Sequence, residues 1–539
     1  MKTYRNTKTI LLIFLLGLIY TCESENGSSD RNIEYPISCS DENAVNFFKD
    51  AELKKLRGDL LGAKTDYESA LRIDPSFIMA ALNINEPNDF RKKNFLDVAI
   101  DSQKNPTEFE KILIDFYLAK ENSAKIKIAD SLISRFPNIS EPLFIKSNLY
   151  SFNRGDIRVP LLRKAAEINP NSQKIQLALF RSTYNIFSYG ASNLVELSKN
   201  IDSVNKIDLK INKIISLDTL NAAMYRSFGD IYRYLDLKKC SDLYNKGLDV
   251  CNSQGNSFRA EMLITVSYAN YLNGGKFSDV LSIINQAIES EFDPLLKMKR
   301  YFQYHIISMF EKDYVNAITI LDKLEKDIRS FDFTPSLINE TKVSIYNYRS
   351  IAHALEGNEN ESLKDLQLFK KFSNLVLQDT PNLDGNYITK RNRTLVGIVG
   401  GLDDRLIMAT KKNQIYFEIF VNILNNNSYQ AIKLMNNSKN LSPIEIENLS
   451  FLNDYKSNNF KKILNSFDKN QNKILSEDLG GSQYINSNYK KYIYANVLHK
   501  NNYKTEHIKE ILKPISDIRG FAYGFNFFLN DSKKLYNTL

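Results

Sequence analysis

The chain has no tryptophan, four cysteines and four histidines in 539 residues, and each scarcity removes a class of function. Without indole rings, no tryptophan platform can stack against a flat ligand. The cysteines Cys22, Cys39, Cys240 and Cys251 form no CxxC, and no Cys/His spacing suits zinc. None of His305, His353, His499 and His507 belongs to an HExxH motif or an i, i+4 pair. His305 reads as a packed residue, twelve before Ala317. There is no G-x-S-x-G elbow, and Gly397, Gly400 and Gly401 lack the following Lys-Ser/Thr of a phosphate loop. The expectation is therefore no catalytic residue, no metal, no cofactor and no enzyme. The net charge of +8 is thin over this length, so nucleic acid is not an expected partner.

What is present is a period. Pro75, Pro106, Pro137 and Pro170 are separated by 31, 31 and 33 residues, the spacing of stacked helix pairs. Before Pro75, Ala63, Tyr67 and Ala70 share one helical face, and Phe47, Ala51 and Lys54 share a face of the preceding stretch. Small residues such as Ala51 and Ala63 let two helices approach closely, and proline then stops the second helix. The turn between them is Arg57-Gly58-Asp59, and Arg154-Gly155-Asp156 repeats it. In both, glycine is expected to supply a positive φ and aspartate to cap the next helix, which makes the tripeptide structural rather than adhesive. Later, a polar turn followed by an aromatic recurs at Gly275-Lys276-Phe277, Lys312-Asp313-Tyr314, Asn427-Ser428-Tyr429, Asn458-Asn459-Phe460 and Asn501-Asn502-Tyr503.

Phe47, Ala51, Gly58, Ala63, Tyr67, Ala70 and Pro75 stand in the order and spacing of a tetratricopeptide repeat (TPR), which this unit resembles. The resemblance implies an all-α solenoid of antiparallel helix pairs, degenerate toward the C-terminus. It also implies a groove lined by the first helix of each pair, where extended peptides or protein partners bind. Aligning Gly229 and Ala269 with the small position of the first helix turns Arg226, Arg233, Tyr234, Asn270 and Asn273 toward that groove. At the clamp positions of the first repeat stand Phe48, Glu52 and Lys55, which do not match the family's grip on chaperone tails.

The N-terminus reads as an address. Lys2, Arg5 and Lys8 precede an apolar run from Ile10 to Tyr20, too short for the ~20 residues of a membrane-spanning helix, and Cys22 follows directly. This resembles a bacterial lipoprotein signal with Cys22 as the lipidated residue, and the acidic stretch Glu23 to Asp30 is similar to that of surface-exported lipoproteins of the Bacteroidota. The expected organisation is a signal peptide over 1–21, a flexible tether over 22–41 reaching about 25 Å, and a repeat array over 42–376. A linker over 377–393 and degenerate hairpins over 394–539 complete it. A disulfide between Cys240 and Cys251 requires a helix end between them, because ~16 Å separates them along one helix. The resemblance implies a cell-envelope location, at the outer membrane on either its periplasmic face or the cell surface. The function expected is a non-catalytic scaffold for envelope proteins or peptide segments. The alternative is a glycan-binding outer-membrane lipoprotein of a nutrient-uptake system, with tyrosine in place of the missing tryptophan.

Overall fold

A computed structural model of the chain describes residues 34–84, 95, 97–98, 100–101, 106–151, 154–186, 194, 197–331, 333–379, 409–477, 479, 484–516 and 527–539. The expected signal peptide, Cys22, the tether up to residue 33, the linker from 380 onward and Gly397 to Gly401 lie outside these residues. All regular structure among the described residues is helical.

The helices run α1 (Glu42–Leu56), α2 (Leu60–Ile73), α3 (Ile78–Asn83), α4 (Glu108–Leu118), α5 (Asn122–Arg135), α6 (Glu141–Asn148), α7 (Gly155–Ile168) and α8 (Gln173–Thr183). Then follow α9 (Ile201–Ile215), α10 (Ala222–Leu235), α11 (Leu237–Gln254), α12 (Arg259–Leu272), α13 (Phe277–Ser290), α14 (Pro294–Phe310), α15 (Tyr314–Asp327), α16 (Pro335–Glu356) and α17 (Glu359–Asp379). The last are α18 (Lys411–Leu424), α19 (Ser428–Asn437), α20 (Pro443–Lys456), α21 (Phe460–Ser476), α22 (Ser487–Lys500), α23 (Thr505–Ser516) and α24 (Leu529–Thr538). The chain divides into two compact units, Met1–Ile231 with Asp249–Phe258, and Tyr232–Leu248 with Arg259–Leu539.

The pairs form because one turn recurs. Helices end on a left-handed residue at Gly58, Asn185, Gly255, Gly274, Lys312, Gly357, Asn426, Asn458 and Asn502, with φ between 51° and 92°. After each, the next N–H reaches back five residues to a helix carbonyl at 2.8–3.1 Å, as from Asp59 to Lys54, Asp313 to Ser308 and Asn459 to Asp454. That bond satisfies a carbonyl the helix end would leave bare, and the left-handed residue reverses the chain. Asp59, Asp313 and Asn427 then cap the next helix through their side chains. All five polar-turn-aromatic signals in the sequence coincide with such a turn.

Three expectations change in detail. In α1 the core face is Ala44, Phe48 and Ala51, while Phe47 is 38 % exposed, so the buried face lies one residue further on than the repeat pattern places it. Gly155 has no positive φ; it is the first residue of α7, and Arg154 pairs with Asp156 at 2.9 Å across it. Cys240 and Cys251 lie on the continuous helix α11, and no disulfide joins them.

Two larger corrections concern organisation. Leu377 to Asp379 belong to α17, and helices on either side of the expected linker pack together, with Phe369 and Phe417 ring centroids 4.6 Å apart and Lys370 2.9 Å from Glu418. The division instead falls within α10 and α11. The tether ends early as well: residues 34–40 are fastened to helices of the first unit, as described below.

Neither unit is a stack in which pairs touch only their neighbours. In the first, Arg57 forks onto Asp218 through two bonds of 2.9 and 3.0 Å, and Asp59 accepts from the Ser257 hydroxyl at 2.6 Å. A Cβ on Gly58 would sit 2.9 Å from Phe258 Cγ. The Arg-Gly-Asp tripeptide is thus a clasp across about 200 residues. In the second unit one hydrophobic cluster runs from Ala260 to Leu529. Asn530 of α24 donates to the Phe310 carbonyl at 3.0 Å and to Glu311 at 2.7 Å, and Lys312 pairs with Asp531 at 2.8 Å.

Replacing Gly58 with alanine combines a left-handed backbone with the Phe258 contact and is expected to cost about 2–4 kcal/mol. Asn458→Gly relieves the backbone alone and should gain about 0.5 kcal/mol. Urea midpoints at unchanged m-value check both.

Candidate peptide-binding surface

The five residues assigned to the groove have separate fates. Arg226, in the first unit, lies 3.6 Å from Asp230 one turn along α10. In the second unit Arg233 is buried, its guanidinium 5.5 Å from the Tyr268 ring centroid. Asn273 closes the end of α12 by donating to the Ala269 carbonyl at 3.0 Å and to the Ser241 hydroxyl at 2.9 Å. Tyr234 and Asn270 are half-buried, and the Asn270 carbonyl accepts the turn bond from Gly275.

The reason lies in how the second unit is filled. Its first helices α12, α14, α16, α18 and α22 carry long stretches of buried residues, as from Tyr416 to Leu424. A helix apolar on all sides belongs inside. Several polar residues on these helices are therefore core residues. Arg300 of α14, 1 % exposed, pairs with Glu261 of α12 at 2.6 Å and Glu291 at 3.1 Å. Arg349 of α16 forks onto Asp365 of α17 with two bonds of 2.8 Å and also meets Asp322 and Glu325 of α15. Tyr484 enters from outside the regular helices, accepting from Asn347 at 2.8 Å and stacking on Phe420 at 5.0 Å.

His305 sits in the same interior. It is 2 % exposed, its Nδ1 lies 2.9 Å from the Ala317 carbonyl, and its ring is 5.4 Å from that of Tyr348. The carbonyl can only accept, so Nδ1 carries the proton and donates. Burial outweighs that bond and pushes the imidazole down to about 4. Among the described residues no cluster of three or more His, Cys, Asp or Glu side chains could hold a metal ion, and no helix is long and apolar enough to cross a membrane.

In the first unit the clamp positions are also spoken for. Phe48 is buried, Glu52 accepts from the Tyr67 hydroxyl, and Lys55 donates to the Asn83 side chain at 3.2 Å. Among the described residues, helices of the first unit hold a non-helical segment of the chain itself. Tyr35 lies flat on Phe109 of α4, ring centroids 5.1 Å apart and planes 3° from parallel. Glu34 accepts from the Ser140 backbone at 3.2 Å, from the Ser140 hydroxyl and from Asn169. The Pro36 carbonyl accepts from the Thr107 hydroxyl at 3.2 Å. Ser38 donates its N–H and hydroxyl to Glu110 at 3.1 and 3.0 Å. Glu110 is fully buried, and its other oxygen accepts from Thr107 N at 2.9 Å in the capping box of α4.

The segment's contacts alternate along the chain. Tyr35, Ile37 and Cys39 pack against the core of the first unit, while Glu34, Pro36 and Ser38 make the polar bonds. Sequence reasoning treated these residues as tether, although the alternation Tyr35-x-Ile37-x-Cys39 was there to be read. Burial and a bond to Asp74 push the Cys39 thiol up to about 12.

No protein-family model matches the chain. Over 359 residues, 58 % of its length, it is 22 % identical to the U3 small nucleolar RNA-associated protein 6 homolog of Dictyostelium discoideum. That alignment takes in 55 % of the relative, so the chain spans about half the length of the curated relative it matches. Among solved structures the TPR domain of P58(IPK) aligns over 77 % of this chain and 98 % of its own, at 11 % identity and a TM-score of 0.17, a value too low to argue from. The TPR-like assignment rests on the helix pairs and their turns.

The folded-state pKa of His305 lies below the ordinary 6.5, so between pH 6.5 and 4 the unfolded chain binds the proton that the native chain refuses. Stability from this site is whole above pH 6.5 and falls by ~3 kcal/mol on the way to pH 4. Urea melts of His305→Asn across that range should lack this part of the slope.

Proposed function

We propose that the protein is a non-catalytic, TPR-like scaffold of a bacterial cell envelope, anchored through a lipid on Cys22, that binds extended segments of protein partners. The helix-pair architecture suits protein–protein interaction. One observation carries the peptide reading: helices α4 and α6 already hold residues 34–40, a segment outside any helix, through a ring stack, a carboxylate at a helix start and backbone bonds. This is how extended peptides are bound generally, with main-chain bonds for affinity and alternate side chains for selection.

The anchor reading rests on the N-terminal sequence. Lys2, Arg5 and Lys8, a short apolar run and Cys22 have the order a lipoprotein signal needs. With Glu34 fastened, residues 23–33 separate Cys22 from the first unit, fewer than the stretch to Asp41 expected from the sequence. The outer membrane is the proposed location, with the scaffold's partners drawn from the same envelope.

A glycan-binding reading draws on Tyr429 and Phe292, which are 80 % and 74 % exposed and could stack on sugar rings. Isothermal titration against a glycan panel separates it, because micromolar sugar binding would replace the scaffold reading.

Metabolic palmitate labelling of wild type and Cys22→Ala tests the anchor. Label is expected on wild type alone, and label that persists in the variant rules out lipidation at Cys22. Crosslinking in intact cells followed by purification tests the scaffold; recovery of this chain only, with no second protein, counts against it.

A further inference from the structure

We infer that the surface formed by Phe109, Glu110, Thr107, Ser140 and Asn169 is a peptide-recognition site closed by the chain's own residues 34–40. Its exchangeable ligand is an extended partner segment carrying a carboxylate, then an aromatic, then proline, with a serine two residues on. This deepens the peptide reading of the preceding subsection and rests on it.

The argument starts from what the site supplies. Ser140 precedes α6 as its N-cap residue, yet its hydroxyl makes no cap bond to its own helix; hydroxyl and N–H both donate to Glu34. A helix start offers bare N–H groups and a positive dipole end, which favour a carboxylate. Here the carboxylate is present, and Asn169 at the end of α7 holds its other oxygen. Next along the segment, the Phe109 ring accepts a flat aromatic, and Phe136 supports it edge-on at 5.2 Å. Two further groups read the backbone and the serine: the Thr107 hydroxyl takes the carbonyl at the proline, and Glu110 takes the serine N–H and hydroxyl.

The segment also has the means to leave. Its polar bonds all come from side chains or from backbone outside any ladder, and it joins α1 through the single capping residue Asp41. It contributes one aromatic stack and a half-buried edge to a core that also holds Phe48, Tyr67 and Phe77. Departure exposes Glu110 and Ser140 with their hydrogen-bonding capacity unmet, so another extended segment of the same chemistry gains what water only partly restores. Covalent linkage gives the resident segment a millimolar effective concentration, which a partner must overcome. The site is therefore self-closed until a tighter or a tethered ligand competes.

The test uses the full chain and a fluorescent peptide of the sequence Glu34 to Asp41 with serine in place of Cys39. Glu34→Ala/Tyr35→Ala/Ser38→Ala releases the resident segment and leaves the receiving helices unchanged. The released variant is expected to bind the peptide at least about tenfold more tightly than wild type, and adding Ser140→Ala should weaken that binding about tenfold. The inference is overturned by a helical, cooperatively melting released variant that does not bind, by equal binding to wild type, or by indifference to Ser140→Ala. Hydrogen exchange on wild type covers the case in which the triple variant does not fold. The Ser38 amide should exchange well ahead of the α1 interior; equal protection means the segment is fixed core and overturns exchange. Concentration-dependent dimers formed when the released variant is mixed with wild type, paired through the wild-type segment, would replace the partner with a second copy. Failure here while crosslinking still captures a partner refutes only this site, whereas capture of no partner refutes the scaffold reading.

Discussion

The left-handed residue that ends most of the first helices is the constraint on which the rest depends. A helix pair needs a reversal within about three residues, and a bare helix end needs its carbonyls satisfied. One backbone conformation meets both needs: the left-handed residue turns the chain, and the following N–H closes on the carbonyl five residues back. In the second unit the same geometry recurs from Gly274 to Asn502, and apolar faces on consecutive helices find one another. Glycine fills the position in part, and asparagine and a lysine take it elsewhere. Asparagine tolerates that region through local hydrogen bonding.

Closure changes what the stacked pairs present. A one-dimensional array exposes the inner faces of its first helices, but Asn530 and Asp531 reach back to the turns after α12 and α14 in the second unit. The inner faces then become core, and the polar residues on them must be answered from within. Arg300 and Arg349 are answered by carboxylates of neighbouring helices, and both arrangements tie three or more elements together. Such buried pairs add little net stability over apolar packing, but losing one partner strands a charge. They act as register pins. In the first unit the Arg57–Asp218 fork and the Asp59–Ser257 bond do the same at the surface of the clasp.

Much of this was legible in local spacing. Ala51, Gly58, Ala63, Tyr67 and Ala70 occupy the places their spacing predicts, and the turns at Gly274, Lys312, Asn426, Asn458 and Asn502 were marked by a polar residue ahead of an aromatic, whereas the one at Gly357 was not. The misreadings share a cause. Phe47 and Phe48 are adjacent aromatics, and which one is buried depends on the helix packed against them. Gly155 sits in the same tripeptide as Gly58 but starts a helix instead of reversing one. Arg233 and Asn273 have groove composition, yet Tyr268 and Ser241 claim them. The candidate peptide site was hidden in a polar stretch whose period-two alternation is only four or five residues long.

The sequence by itself determined that the chain folds as helix pairs and where many of the turns fall. Those features are local: helix periodicity, capping and left-handed turns each depend on residues within a few positions of one another. Tertiary structure decided which faces stay open. Whether Arg300 is a surface charge or a core residue depends on Glu261 and Glu291, and whether residues 34–40 swing free depends on Ser140 and Asn169, over 100 residues away. Burial is set by what arrives from elsewhere in the chain, and no local pattern carries that information.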